Sequence, residues 1–140
     1  MEGVVSGSAE NGAAQPLTEF QDRMVAWLKA QLDVEISLDE LPPGGGLYAE
    51  TGASQTVSSY YDKTALWTIP VLFLSKNADQ KAGMEALSKI CDFLHREKIY
   101  PSGESYSWKD AQTVTQPNKI GRDEDGKYLH SCIVNCKIFF

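Results

Sequence analysis

Few side chains in this 140-residue chain have the chemistry for a reaction: two histidines, three cysteines, one short acidic run and one glycine run. His130 and Cys132 stand two apart in an alternating stretch, so both point to one side of a strand, as a thiol nucleophile and its base would. A packed strand face explains the same pair with fewer assumptions, and no third residue orients the histidine. His95 lies beside Cys91 and Leu94 on a helical pattern, but no further His, Asp or Glu joins them at ligand spacing. Asp123, Glu124 and Asp125 form the acidic run. A calcium loop of the helix–loop–helix kind spreads its oxygen ligands over about twelve residues between two helices, whereas this run joins strands. Gly44, Gly45 and Gly46 could cradle phosphate only with a helix start and a lysine close behind; here the next residues look extended and the first lysine is Lys63. Neither a nucleophile elbow nor a dinucleotide fingerprint occurs. The expectation is a protein that is not an enzyme, with no catalytic residue, no cofactor and no metal.

The elements that would position these residues centre on Ala65–Leu74. At period two, Ala65, Trp67, Ile69, Val71 and Phe73 share one face and Leu66, Thr68, Pro70, Leu72 and Leu74 the other. Both faces are apolar, which predicts cover on both sides, by helices, another sheet or a neighbouring subunit. Pro70 removes a ladder donor, so a bulge or an edge facing a partner is expected there. Met1–Pro16 reads as a flexible arm, and 17–140 as a single domain. Thr18 and Gln21 have capping-box spacing, and Phe20, Met24, Trp27, Leu28 and Leu32 predict a first helix over Glu19–Asp33. A short strand follows at Val34–Leu38, then the break at Pro42–Gly46. Leu47–Thr51 and Gln55–Tyr61 read as strands of a meander into the central strand, Tyr60 and Tyr61 facing opposite sides. Asn77 or Asp79 caps a second helix with a Met84, Leu87, Ile90, Cys91, Leu94 stripe. Tyr106–Thr115 is a strand, Gln116–Lys127 a polar loop with an Asp125-Gly126 turn, and Tyr128–Phe140 the closing strand.

Composition narrows the classes. A net charge of −6 disfavours a partner held by phosphate contacts, so no specific nucleic-acid binding is expected. The Cys132–Cys136 separation along a strand, about 13 Å, is too long for a disulfide, and the cysteines read as reduced, buried thiols. Glu2 stands where a secretory signal carries positive charge, and no window is apolar enough to span a membrane; the expected site of synthesis and assembly is the cytoplasm.

Three stretches in their joint order carry a resemblance. They are Tyr60-Tyr61-Asp62, the passage Ile69-Pro70-Val71-Leu72-Phe73-Leu74-Ser75-Lys76-Asn77, and the closing Pro117–Tyr128 segment with its Gly121-Arg122-Asp123-Glu124-Asp125-Gly126 turn. Over roughly Leu17–Phe140 the chain resembles the tail terminator and head-to-tail joining proteins of long-tailed bacteriophages, the minor capsid proteins. The resemblance implies an α+β fold, an antiparallel or mixed sheet with two helices packed on one face. It also implies a structural role: a homo-oligomeric, hexameric ring that caps the tail-tube protein and meets the head connector protein, in the phage tail or neck after assembly in the host cytoplasm. On that reading Tyr60, Tyr61, Trp67, Pro70, Gly44, Gly45, Arg122, Asp123 and Glu124 are interface candidates. The long amino-terminal arm departs from the family pattern. Two alternatives stand beside it: a small-ligand or peptide-binding α+β module with Tyr60, Tyr61 and Trp108 lining a pocket, and a cysteine enzyme using Cys132 and His130.

Overall fold

A computed structural model describes residues 15–140. The arm expected over Met1–Pro16 lies outside them except for its last two residues. Helix α1 covers Pro16–Leu32, with Pro16 in the first turn, where its missing N–H is no loss. The capping box does not form: the cap position is Gln15, without a side-chain bond, and Gln21 instead donates to Thr51 Oγ1 at 2.7 Å. Asp33 closes the helix in the left-handed region, φ 56°.

Six strands follow around helix α2 (Gln80–Arg96): β1 (Ile36–Ser37), β2 (Gly46–Thr51), β3 (Gln55–Ser59), β4 (Ala65–Asn77), β5 (Ser107–Arg122) and β6 (Tyr128–Phe139). They build one mixed sheet in the order β1-β2-β4-β6-β5, with β3 also on β4; β1 and β2 are parallel and the other pairs antiparallel. The chain is α+β.

The meander is not formed. β2 pairs with Val71–Lys76 and β3 with Ala65–Thr68, so the two lie end to end along the same side of β4 and run in one direction. Gly52–Ser54 is a detour in one long arm of a hairpin, not a turn between neighbours. Pro70 explains the detour. Its carbonyl accepts from Gly52 N at 2.7 Å, so its ring nitrogen also faces that side, where the ladder is interrupted and no donor is needed. The expected bulge is absent from the other side, where β4 pairs with β6 without a register shift from Leu66 to Asn77.

Alternation decides the core. Ala65, Ile69, Val71, Phe73 and Ser75 of β4 are buried, as are His130, Cys132, Val134, Cys136 and Ile138 of β6. Of these, Ile69, Val71, Phe73, Cys132, Val134, Cys136 and Ile138 join Phe20, Met24 and Leu28 of α1 and Leu87, Ile90 and Leu94 of α2 in one cluster. Trp108 fills its corner, 5.0 Å from Phe20, 5.4 Å from Trp27 and 4.9 Å from Tyr100 between ring centroids. Each such aromatic contact contributes about 0.5–1.5 kcal/mol beyond its area. On β4 the other set, Leu66, Thr68, Pro70, Leu72 and Leu74, is only half-buried. Within the chain this second face is covered only in part.

The loop expected over Gln116–Lys127 is mostly strand. β5 runs to Arg122, leaving Asp123–Lys127 as the turn, with Gly126 at φ 83°. Polar residues hold a ladder here because β6 supplies backbone partners, and four register shifts along β5 leave residues such as Gln116, Pro117 and Ile120 out of the pairing.

Candidate interaction surfaces

β4 sorts most of the candidate residues to its two ends. Twelve steps at about 3.3 Å separate Ala65 from Asn77, roughly 40 Å.

The Ala65 end is aromatic. Tyr60–Thr64 joins β3 to β4 as a tight turn, closed by Tyr60 N on Thr64 O at 2.9 Å and Lys63 N on Tyr60 O at 3.1 Å. Asp62 accepts from both the backbone N–H and the hydroxyl of Thr64, which holds its carboxyl below the usual range. Lys63 sits at φ 73°, a left-handed conformation uncommon for a side chain of this size. Tyr60 and Tyr61 therefore belong to the turn and not to opposite faces of a strand. Tyr60 leans toward Phe139, ring centroids 5.7 Å apart, while Tyr61 is fully exposed. Trp67 stacks on Phe140 at 5.5 Å, and its indole N–H has no partner among the described residues.

The Asn77 end is ionic. Lys76 Nζ bridges Asp123 at 2.5 Å and Asp125 at 3.8 Å, and Lys127 also reaches Asp125 at 3.2 Å. Hydrogen bonding with Asp125 and the Lys76 ammonium hold Asp123 well below the usual carboxylate range. Gly44 is exposed and Gly45 packs under this cluster at φ 107°; a Cβ on Gly45 would approach Lys76 O at 3.0 Å. Arg122 lies 4.8 Å over the Tyr128 ring, and Glu124 projects into solvent. Pro70 sits between the two ends. Asp123 and Asp125 are thus bridged by Lys76 of β4 and Lys127 of the turn, and no group of three or more His, Cys, Asp or Glu among the described residues is placed to hold a metal ion.

Between the ends runs the half-buried side of the sheet. Leu72 pairs with Ile133 and Leu66 with Phe139, while Glu50 and Lys137 are its exposed charges. Sequence reading named Pro70 there but missed Ile133 and Phe139, whose signal was the apolar residues interleaved with Ser131, Asn135 and Lys137 on β6.

His130 and Cys132 do share a face, but both are sealed, 1% and 0% exposed. Hydrogen bonding with Cys91 and burial push the Cys132 thiol up, and burial followed by the Lys119 charge lowers His130. That is opposite to an activated thiolate. Tyr60, Tyr61 and Trp108 do not converge either: Trp108 is core and the tyrosines are on the turn.

A scan of protein-family models and a search of curated proteins match nothing to this chain. A cleft of about 560 Å³, which sequence reading also missed, lies on the β5 side. Glu85, Ser88, Asp92 and His95 of α2 face Thr113 and Gln116 of β5 across it, over the Cys91 thiol. No helix among the described residues is long and apolar enough to cross a membrane.

Proposed function

We propose that this chain is a structural virion assembly protein that caps a phage tail tube and joins it to the head connector as a homo-oligomeric, hexameric ring. The observation that carries the reading is the division of the interface candidates between two chemically unlike ends of β4, one aromatic and one ionic, with a half-buried apolar sheet side between them. A joining protein meets two different partners and its own neighbours, which calls for three such surfaces on a small body. The ends suit the axial partners, tail-tube protein and connector; the sheet side suits a neighbouring copy. The resemblance of the Tyr60–Asp62, Ile69–Asn77 and Pro117–Tyr128 stretches to tail terminators supports the same role, exercised in the tail or neck of the virion after assembly in the host cytoplasm. Adding the protein to polymerising tail-tube protein is the test: tubes should stop growing and carry the protein at one end by immunogold labelling. Tubes of unchanged length without label contradict the role.

A second reading, a small-ligand or peptide-binding module, is favoured by the open cleft between α2 and β5, whose volume lies within the ~300–1,000 Å³ of ligand pockets.

A further inference from the structure

Of the three thiols in this chain, the fold brings two together at the foot of the α2–β5 cleft. Cys91 of α2 lines that cleft. Thr113 of β5 stands opposite Val134 of β6, and Cys132 is the next inward residue along β6, so Thr113 and Cys132 lie side by side on the face that α2 covers. Cys91 meets both: the Cys132 thiol and the Thr113 hydroxyl hydrogen-bond to its sulfur.

We propose that this pair is an oxidation site: a small hydroperoxide entering the cleft oxidises Cys91, and Cys132 then closes a Cys91–Cys132 disulfide beneath it. The site goes beyond both functional readings above and stands whether or not copies of the chain form a ring.

Burial sets the order of events. Cys91 is 3% exposed and opens on the cleft, whereas Cys132 is sealed, so a solute reaches Cys91 first. So narrow an opening suits hydrogen peroxide or a small alkyl hydroperoxide. Glu85 and Asp92 on the cleft walls are countered by Lys89, which fits a neutral oxidant. The hydrogen bond with Cys132 favours the thiolate at Cys91; burial opposes it, the Thr113 hydroxyl supports it, and the Asp92 charge, itself bridged by Arg96 at 3.2 Å, opposes it weakly. Cys136 takes no part, since it stands four residues from Cys132 along β6, about 13 Å away and beyond disulfide reach.

The chemistry balances in two steps. The Cys91 sulfur attacks one peroxide oxygen, the O–O bond breaks, Cys91 becomes a sulfenic acid, and the leaving hydroxide takes the Cys91 thiol proton as water. The Cys132 sulfur then attacks the Cys91 sulfur, the S–O bond breaks, and the second hydroxide takes the Cys132 proton. Two thiols lose two electrons in all and the peroxide is reduced to two waters. The product ties α2 to β6 under the cleft.

Peptide mapping tests it. The full chain is held folded in hydrogen peroxide at about pH 7.5, its remaining thiols are alkylated in denaturant, and the digest is read by mass without reductant. The expected product is a Cys91 peptide joined to a Cys132 peptide, two hydrogens lighter than their sum and released by reductant, with Cys136 alkylated. In Cys132→Ala, Cys91 should stop at the sulfenic acid and be trapped by dimedone; in Cys91→Ala, Cys132 should stay reduced. Circular dichroism checks that each variant is folded, and the parent result decides the matter without them. A folded parent whose Cys91 stays reduced while free cysteine in the same solution oxidises overturns the proposal. So does a Cys91 that bonds to Cys136 or to another copy, or that goes on to the sulfinic acid with Cys132 still reduced.

Discussion

Ser75 and His130 stand directly opposite each other in the β4–β6 ladder, both nearly sealed from water, and Gly83 in the first turns of α2 closes over them. A Cβ at Gly83 would lie 3.1 Å from Ser75 Oγ, 3.2 Å from His130 Nδ1 and 3.3 Å from Asn77 Cβ. The missing side chain is what lets helix and sheet approach at this polar point in the core. Gly83→Val should therefore destabilise the protein by about 2–3 kcal/mol, the overpacking cost outweighing the small gain in helix propensity. Urea unfolding followed by circular dichroism measures it; an unchanged midpoint would show that α2 is not held this close.

The same pair gives stability a pH dependence. Burial, and then the nearby Lys119 cation, lower His130 from its ordinary value near 6.5. The unfolded chain then takes up this proton more readily than the folded one, so stability is complete above about pH 6.5 and falls as pH drops through 6.5 toward the folded value. Denaturation midpoints at pH 7.5 and 5.5 should differ in the parent and converge in His130→Leu. Equal slopes in both proteins would remove His130 as the cause.

Glu19 acts in a lower window. Its carboxylate accepts from Glu104 N and Ser105 N, both at 2.9 Å, from the Ser105 hydroxyl and from Arg23, tying the first turn of α1 to the segment that leads into β5. The bonds from Ser105 and Glu104 lower it to about 2 against an ordinary 4.5. Its contribution is present above pH 4.5 and is lost as pH falls toward 2. Glu19→Gln should cost about 1–3 kcal/mol at neutral pH, with the gap to the parent closing in acid. A constant gap across pH would assign the loss to packing.

Cys91, Cys132 and Cys136 are buried and unbridged. Burial pushes Cys136 well above the ordinary thiol range, as hydrogen bonding to Cys91 and burial do for Cys132. Cys132 and Cys136 of the folded protein should resist iodoacetamide at pH 8 and take up label only in denaturant, read by peptide mass, whereas Cys91, which lines the α2–β5 cleft and is lowered by its hydrogen bond with Cys132, is the thiol to label first. Rapid single labelling of Cys132 in the folded state would revive the cysteine-enzyme alternative.

What could be read from the residues and what could not divide along a physical line. Both helices, the central strand and the buried alternation of β6 were legible, because each is written in a local period that the core rewards. The meander was misread because Gly52–Ser54 has turn composition, and only the cross-strand meeting of Gly52 with Pro70 shows it to be a detour. Gln116–Arg122 was read as loop for want of apolar alternation, whereas its pairing is dictated by β6, thirteen residues away from Asn118 at Ser131. The nine interface candidates rest on the resemblance and on turn and glycine composition, not on any period in the sequence. Their division between two ends follows from the register of β4, which no local pattern contains.

The central claim is that copies of this chain assemble into a ring on a tail tube, and light scattering on the purified protein, alone and with tail-tube protein, tests it most directly. The account expects a six-fold multiple of 15.5 kDa, in solution or on the tubes. A 15.5 kDa monomer that ignores tubes at every concentration would contradict it.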